Sequence, residues 1–132
     1  MADASSDPTP QAIHEWRKRV KDHWYHARLL SPIWPRPMQV HCKVADQLGD
    51  ALGRHHDLEV FSERLASEDL GGKTERDVLA GLVRRKQNML EHEAFSIGAR
   101  LLAEPAGSLT RRWRSYWDTW HEDRPGSAAL AA

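Results

Sequence analysis

Apolar side chains recur at helical spacing between Ile13 and Leu30, and no part of the chain shows the strict alternation of a half-buried strand. At about 100° per residue, the apolar members of this stretch fall in one sector of a helix. This sector holds Ile13, Trp16, Val20, Trp24 and Ala27. A stripe of this kind buries against other helices, so the stretch predicts an amphipathic helix with one face in a helical core.

The neighbouring sector of the same predicted helix is basic. It holds His14, Arg17, Lys18, Lys21, Tyr25 and Arg28. Like charges four residues apart on a helix repel each other, as Arg17 and Lys21 would, and a bound anion would offset that repulsion. Arginine forks and lysine point charges both suit phosphate oxygens. The stripe would fit a linear polyanion, although charge runs on helices are more often a solvated face with local ion pairs.

Three further helices follow from the remaining apolar spacing, and prolines after Leu30 separate the first helix from the second. The four expected helices span about 10–30, 37–67, 74–102 and 108–121. The second carries Gly53, near which it is either continuous or broken. Because no strand pattern is present, the chain predicts the all-α fold class, as a single four-helix bundle.

Two of these helices have predicted core faces. In the third, Lys86 and Glu93 lie in the middle of the predicted core face, which holds Val78, Leu79, Leu82, Val83, Leu90, Ala94, Ile97 and Leu101. In the fourth, Ser108 is the expected cap, and a stripe of mostly aromatic residues is expected to pack into the core rather than to stack on bases. That stripe holds Leu109, Trp113, Tyr116, Trp117 and Trp120.

The length of 132 residues fits one domain. We expect a disordered N-terminal segment at 1–9, the helical bundle domain at 10–122 and a flexible tail at 123–132. The first residues lack the basic and apolar regions of a signal peptide, and no apolar run approaches the roughly 18 residues of a membrane span. We therefore expect a cytoplasmic protein that has no membrane partner.

Charge balance restricts the kind of partner. Lysine and arginine together number 19, and aspartate and glutamate also number 19, which argues against a protein that coats nucleic acid. A local basic site remains compatible with this balance, and a second basic group follows at Arg84, Arg85 and Lys86. The single cysteine, Cys42, excludes an internal disulfide and a cysteine-based zinc module within one chain.

Motifs for catalysis are missing from the sequence. There is no glycine-rich phosphate loop, no GxSxG and no HExxH, so we expect a non-enzymatic protein without a cofactor or metal. Eight histidines keep a metal-binding protein or metal-dependent phosphohydrolase as an alternative, with ligands from His14, Glu15, His55, His56 and Asp57. A second alternative is a helical adaptor whose basic face binds an acidic protein or RNA.

Three segments in order carry a resemblance to a known family. They read IHEWRKRVKDHWYHARLL, LGDALGRHHDLEVF and LVRRKQNMLEHEAFSIGARLLAE. Together with the tryptophan-rich last helix, they resemble the CHAD family, the conserved-histidine α-helical domain, over roughly residues 12–121. The match is to the second of that domain's two helical repeats, and this chain shows no first repeat.

The resemblance implies two four-helix bundles related by a pseudo-two-fold axis, of which this chain would be half. It also implies a basic channel that binds inorganic polyphosphate without catalysis, and an association with polyphosphate granules. By position, the binding residues would be His14, Arg17, Lys18, Lys21 and Arg28, supported by Tyr25, and then His56, Arg84, Arg85 and Lys86. A single bundle lacks one wall of such a channel, and a homodimer would supply it.

Overall fold

The computed structural model describes residues 9–68 and 71–124, and these form helices and no strand. A short 3₁₀ turn, Ser31–Ile33, joins the first two helices. The helices are α1 (Pro10–Leu29), α2 (Pro35–Ser67), α3 (Lys73–Leu101) and α4 (Ala106–Asp123). The prediction of an all-α bundle is confirmed. The expected disordered segment and tail lie largely outside the described residues, although Thr9 caps α1 and α4 extends to Asp123.

The start of α1 follows from two adjacent residues. The Thr9 hydroxyl accepts a hydrogen bond from the Ala12 backbone N–H at 3.1 Å, and Pro10 occupies the first helical position, where no N–H is needed. The helix ends at Leu29, before Ser31 and Pro32 open the 3₁₀ turn. The predicted bounds of this helix were therefore correct to within one residue.

The second helix is continuous from Pro35 to Ser67, so the break considered near Gly53 does not occur. It also begins two residues before the predicted start, because Pro35 and Pro37 both sit in its first turn, where a missing N–H costs nothing. Gly53 has a packing role instead of a hinge role. A Cβ added there would lie 3.4 Å from Arg17 Nε, so the absent side chain leaves space for the guanidinium.

The main core forms where α1 and α3 both pack against α2. The ring of Trp16 on α1 stacks on Phe95 of α3, with centroids 5.4 Å apart. The buried members of this cluster are Ile13, Trp16, Val20, Leu48, Ala51, Leu52, Leu90 and Ala94. The apolar sector predicted for the first helix is confirmed at Ile13, Trp16, Val20 and Ala27, whereas Trp24 is only half-buried.

The third helix differs most from its prediction. It begins at Lys73, one residue early, because Glu75 Oε2 accepts a hydrogen bond from the Gly72 backbone N–H at 2.7 Å. The predicted core face is confirmed from Val83 to Leu101, whereas Val78, Leu79 and Leu82 are exposed and were wrongly placed in it. The helix α1 starts only six residues before Trp16, so it does not reach the first half of α3, which packs on α2 alone among the described helices.

The fourth helix packs over the end of the bundle on a second cluster. Trp113, Tyr116 and Trp120 lie against the buried Ala27, Ile33 and Met38. These three aromatics are half-buried at the edge of the core and not inside it as predicted, and Trp117 is 44% exposed. The helix begins at Ala106, after Pro105, so Ser108 is not its cap.

Candidate functional site

The basic stripe of α1 lies along the groove between α1 and α2. Arg17 and Lys21 line the groove directly, beside Trp24. His14 and Arg17 are half-buried, and Lys18, Lys21, Tyr25 and Arg28 are exposed. The helix thus presents its cations as one row, in the order that the sequence predicted.

At the start of the stripe, His14 and Arg17 both contact α2. The rings of His14 and His56 stack with centroids 4.8 Å apart, which joins α1 to α2. The Arg17 guanidinium lies against Gly53. The buried atoms Arg17 Nε and His14 Nδ1 have no hydrogen-bond partner among the described residues. Buried polar atoms without a partner are uncommon in folded proteins, and they fit a site that receives a polar ligand.

The remaining cations of the stripe differ in how they are held. Lys18 Nζ pairs with Glu15 Oε1 at 2.9 Å, and this hydrogen bond lowers the pKa of the Glu15 carboxyl. The Arg28 guanidinium lies 5.2 Å from the centroid of the Trp24 ring, a cation–π contact that leaves its donors available. Within the described residues, no carboxylate forms an ion pair with Arg17, Lys21 or Arg28.

The opposite wall of the groove is acidic. Asp46 and Asp50, one helical turn apart on α2, line the same cavity of about 130 Å³ as Arg17 and Lys21. These carboxylates lie beyond ion-pair distance of the two cations. Sequence reasoning missed them, because their position depends on how α2 crosses α1 and not on any motif.

The second basic group does not join this groove. Arg84, Arg85 and Lys86 are exposed on α3, and no hydrogen bond, ion pair or cavity of the described residues connects them to α1. They precede Phe95, which stacks on Trp16, by about ten residues, or about 15 Å along the helix. Lys86 is exposed and does not lie in the middle of a core face, as the spacing had suggested, because α1 does not extend over that half of α3.

The residues of the metal hypothesis are engaged in separate contacts. His55 is buried, and its Nε2 lies 2.9 Å from Glu91 Oε1, which ties α2 to α3. His56 stacks on His14, and Glu15 pairs with Lys18. Over the two described ranges, no group of three or more His, Cys, Asp or Glu side chains could hold a metal ion.

A histidine pair away from the groove was not foreseen. His23 Nε2 lies 2.7 Å from His41 Nε2, and both rings contact Trp113 of α4. Burial lowers the pKa of His41 to about 4 and also lowers the pKa of His23. Both rings are therefore neutral at neutral pH, and one donates a hydrogen bond to the other. Neither sequence position carries a motif that would have revealed this contact.

Comparison with known families now decides the relationship. A sequence model of the CHAD domain matches residues 1–66. The chain belongs to the CHAD family. The matched part of this CHAD-family chain contains the α1 stripe and His56, whereas Arg84, Arg85 and Lys86 lie outside it. No curated protein and no solved structure matches the chain. Among the described residues, no helix combines the length and the apolar character needed to cross a membrane.

Proposed function

We propose that this CHAD-family protein binds inorganic polyphosphate along the α1 stripe and does not catalyse its conversion. One observation carries the proposal: Arg17, Lys21 and Arg28 line up along α1 without a carboxylate partner in the described chain. The family link adds to it, because CHAD domains are associated with polyphosphate binding. A phosphate chain would offset the repulsion between the cations and would give Arg17 the acceptors that it lacks.

The groove supports binding rather than chemistry. Where Arg17 and Lys21 line the groove, the other ionisable side chains are the two carboxylates of α2. In the described ranges, no hydrogen bond joins a hydroxyl or a thiol to a histidine or a carboxylate, which is the pairing that activates a nucleophile. We place such a binding protein in the cytoplasm and at polyphosphate granules.

Replacement of Lys21 tests the proposal. Lys21→Glu removes a phosphate contact and adds a repulsive charge, so we expect polyphosphate affinity to fall by about 2 kcal/mol, or about 30-fold. Titration calorimetry at several salt concentrations measures this, and wild-type affinity should fall steeply as salt rises. The milder Lys21→Gln should show a smaller loss, and thermal unfolding should verify that both variants are folded.

Arg19→Glu is the matched control, because it makes the same charge change on the same helix outside the groove, where Arg19 faces Asp22 at 3.8 Å. Equal affinities of wild type, Lys21→Glu and Arg19→Glu would exclude the stripe as the site. Competition with RNA, double-stranded DNA and an acidic peptide is part of the same titration. Preference for one of these over polyphosphate would support the adaptor instead.

We also propose that the protein forms a homodimer through the uncovered part of the α2–α3 hairpin. Phe61 on α2 is exposed there, as are Val78 and Leu82 on α3. Exposure of these large apolar side chains to water is unfavourable, and a partner surface that covers them would remove this cost.

Charge favours a second copy as that partner. On the hairpin, α2 carries the exposed Asp57 and Glu63, whereas α3 carries the exposed Arg84, Arg85 and Lys86. A two-fold pairing that sets α2 of one copy against α3 of the other therefore brings opposite charges together. This arrangement would also give Arg84, Arg85 and Lys86 a use outside the groove.

A further inference from the structure

We infer that the anion site continues past Trp24 onto α2, where Arg36 and Lys43 bind a second stretch of the polyphosphate chain. This inference rests on the proposed function and extends the same site. Neither residue belongs to the basic stripe of α1.

The groove has a narrow section and a wide section that meet at shared residues. The narrow section is the cavity of about 130 Å³ beside Arg17 and Lys21. The wide section has a volume of about 610 Å³ and lies beside Arg28. Trp24 and Asp46 line both sections, so the two form one path along the α1–α2 contact. A linear ligand that enters one section can continue into the other.

The charges of the two sections differ in a way that favours an anion in the wide one. In the narrow section, the cations are matched in number by Asp46 and Asp50, so the charges cancel. In the wide section, Arg28, Arg36 and Lys43 face Asp46 alone, which leaves two net positive charges. Because Coulomb attraction follows the local balance, a phosphate group gains more in the wide section than in the narrow one.

Arg36 and Lys43 are also placed to act together. They are seven residues, or about two turns, apart on α2, so they lie on one face of that helix. Both side chains are exposed, and neither forms an ion pair within the described residues. Arg36 lies in the first turn of α2, where the helix macrodipole adds to the attraction for an anion.

A consequence for chain length follows from this division. Tripolyphosphate is short, so it should occupy the wide section, where the balance of charge is most favourable. A long chain should occupy both sections, and each section raises the effective concentration of phosphate in the other. Loss of Arg36 and Lys43 should therefore weaken binding of both ligands.

The test compares the double variant Arg36→Gln/Lys43→Gln with Arg19→Gln/Arg111→Gln. The second variant also removes two positive charges, at exposed side chains of α1 and α4 that line neither section of the groove and lie away from the hairpin. Calorimetric titrations with tripolyphosphate and with long-chain polyphosphate give the affinities. We expect Arg36→Gln/Lys43→Gln to bind both ligands at least about tenfold more weakly than the control. Its salt-dependence slope for the long chain should be shallower by between one and two.

Equal affinity and equal slope in the two double variants would overturn the inference. If wild type binds and Lys21→Glu weakens binding while Arg36→Gln/Lys43→Gln does not, the α1 site stands and its extension onto α2 falls. If wild type binds neither ligand, the proposed function falls and the extension falls with it. Thermal unfolding of each variant confirms that a loss of affinity is not a loss of folded protein.

Discussion

A single glycine decides how Arg17 sits in the groove. The side chain of Arg17 crosses from α1 to α2 and rests where Gly53 has no Cβ. Glycine costs about 1 kcal/mol in a helix interior relative to alanine, and α2 nevertheless runs through this position without a break. This loss of helix stability is offset if the space at Gly53 holds the Arg17 guanidinium in the position that binds the ligand.

Gly53→Leu should therefore separate stability from binding. The larger side chain would push the guanidinium aside, and we expect polyphosphate affinity to fall about fivefold while helix propensity rises. Gly81→Leu is the matched control, because nothing lies within 4 Å of a Cβ at Gly81. Chemical unfolding and calorimetric titration measure the two properties. Unchanged affinity in Gly53→Leu would show that the position of the Arg17 guanidinium against Gly53 is not needed for binding.

At the scale of residues, the sequence predicted the stripe but not its surroundings. Helical spacing alone places Arg17, Lys21 and Arg28 on one face, because the spacing depends only on the local backbone. Asp46 and Asp50 enter the site through the crossing of two helices, which no local pattern encodes. Trp24, assigned to the core by its spacing, lies at the edge of that crossing and lines the groove.

The helical elements at the other end of the bundle meet at a pair of histidines. His23 of α1 and His41 of α2 share a hydrogen bond, and Trp113 brings α4 against both rings. Burial and the neighbouring positive charges hold the pKa of His41 down to about 4. The contact therefore depends on neutral imidazoles, and α4 depends on the contact for part of its packing.

Stability should decrease as the pH falls from 6.5 toward about 4. The folded-state pKa of His41 is lower than the ordinary histidine value of 6.5, so the unfolded chain binds more protons in this window. The free energy of unfolding therefore falls as protons are added, and it recovers as the pH rises again. Urea unfolding at a series of pH values measures this dependence.

His41→Gln removes the titrating ring, and we expect a smaller loss of stability across the same window. His92→Gln changes an exposed histidine of α3 and should keep the wild-type profile. A His41→Gln profile as steep as that of wild type would assign the pH dependence to other groups.

At the scale of elements, the sequence predicted four helices with nearly correct bounds, because prolines, caps and apolar spacing depend only on neighbouring residues. The prediction failed for the first half of α3. Val78, Leu79 and Leu82 have the spacing of a core face, yet spacing shows only that a face is apolar and not which helix covers it. That depends on how far α1 extends along the bundle.

The whole molecule leaves its hairpin end uncovered, and this predicts self-association. Leu82→Glu places a charge in the apolar hairpin face and should shift the sedimentation coefficient toward the monomer at a concentration where wild type associates. Leu29→Glu is the control, since Leu29 is 78% exposed at the end of α1, away from the hairpin. A concentration series by sedimentation velocity measures both. A wild-type protein that stays monomeric throughout would contradict the proposed homodimer.

The all-α class and the order of helices were predictable for the whole molecule, because strong periodicity and the absence of alternation leave few other folds. The packing of α4 was harder to predict from the sequence. It covers the 3₁₀ turn and the start of α2 and contributes no fully buried residue of its own. The spacing of its aromatic residues indicated an apolar contact, but not how deeply these side chains would be buried.

The carboxylates of Asp46 and Asp50 have a consequence for how the protein would behave among the many small anions of a cell. A lone orthophosphate in the narrow section meets as many negative charges as positive ones and gains little by staying. A polymer gains from several contacts at once, so its attraction adds up while that of the monomer does not. The acidic wall would thus act as a threshold for the narrow section, which would ignore free phosphate and fill only with a chain that is also held by the wide section.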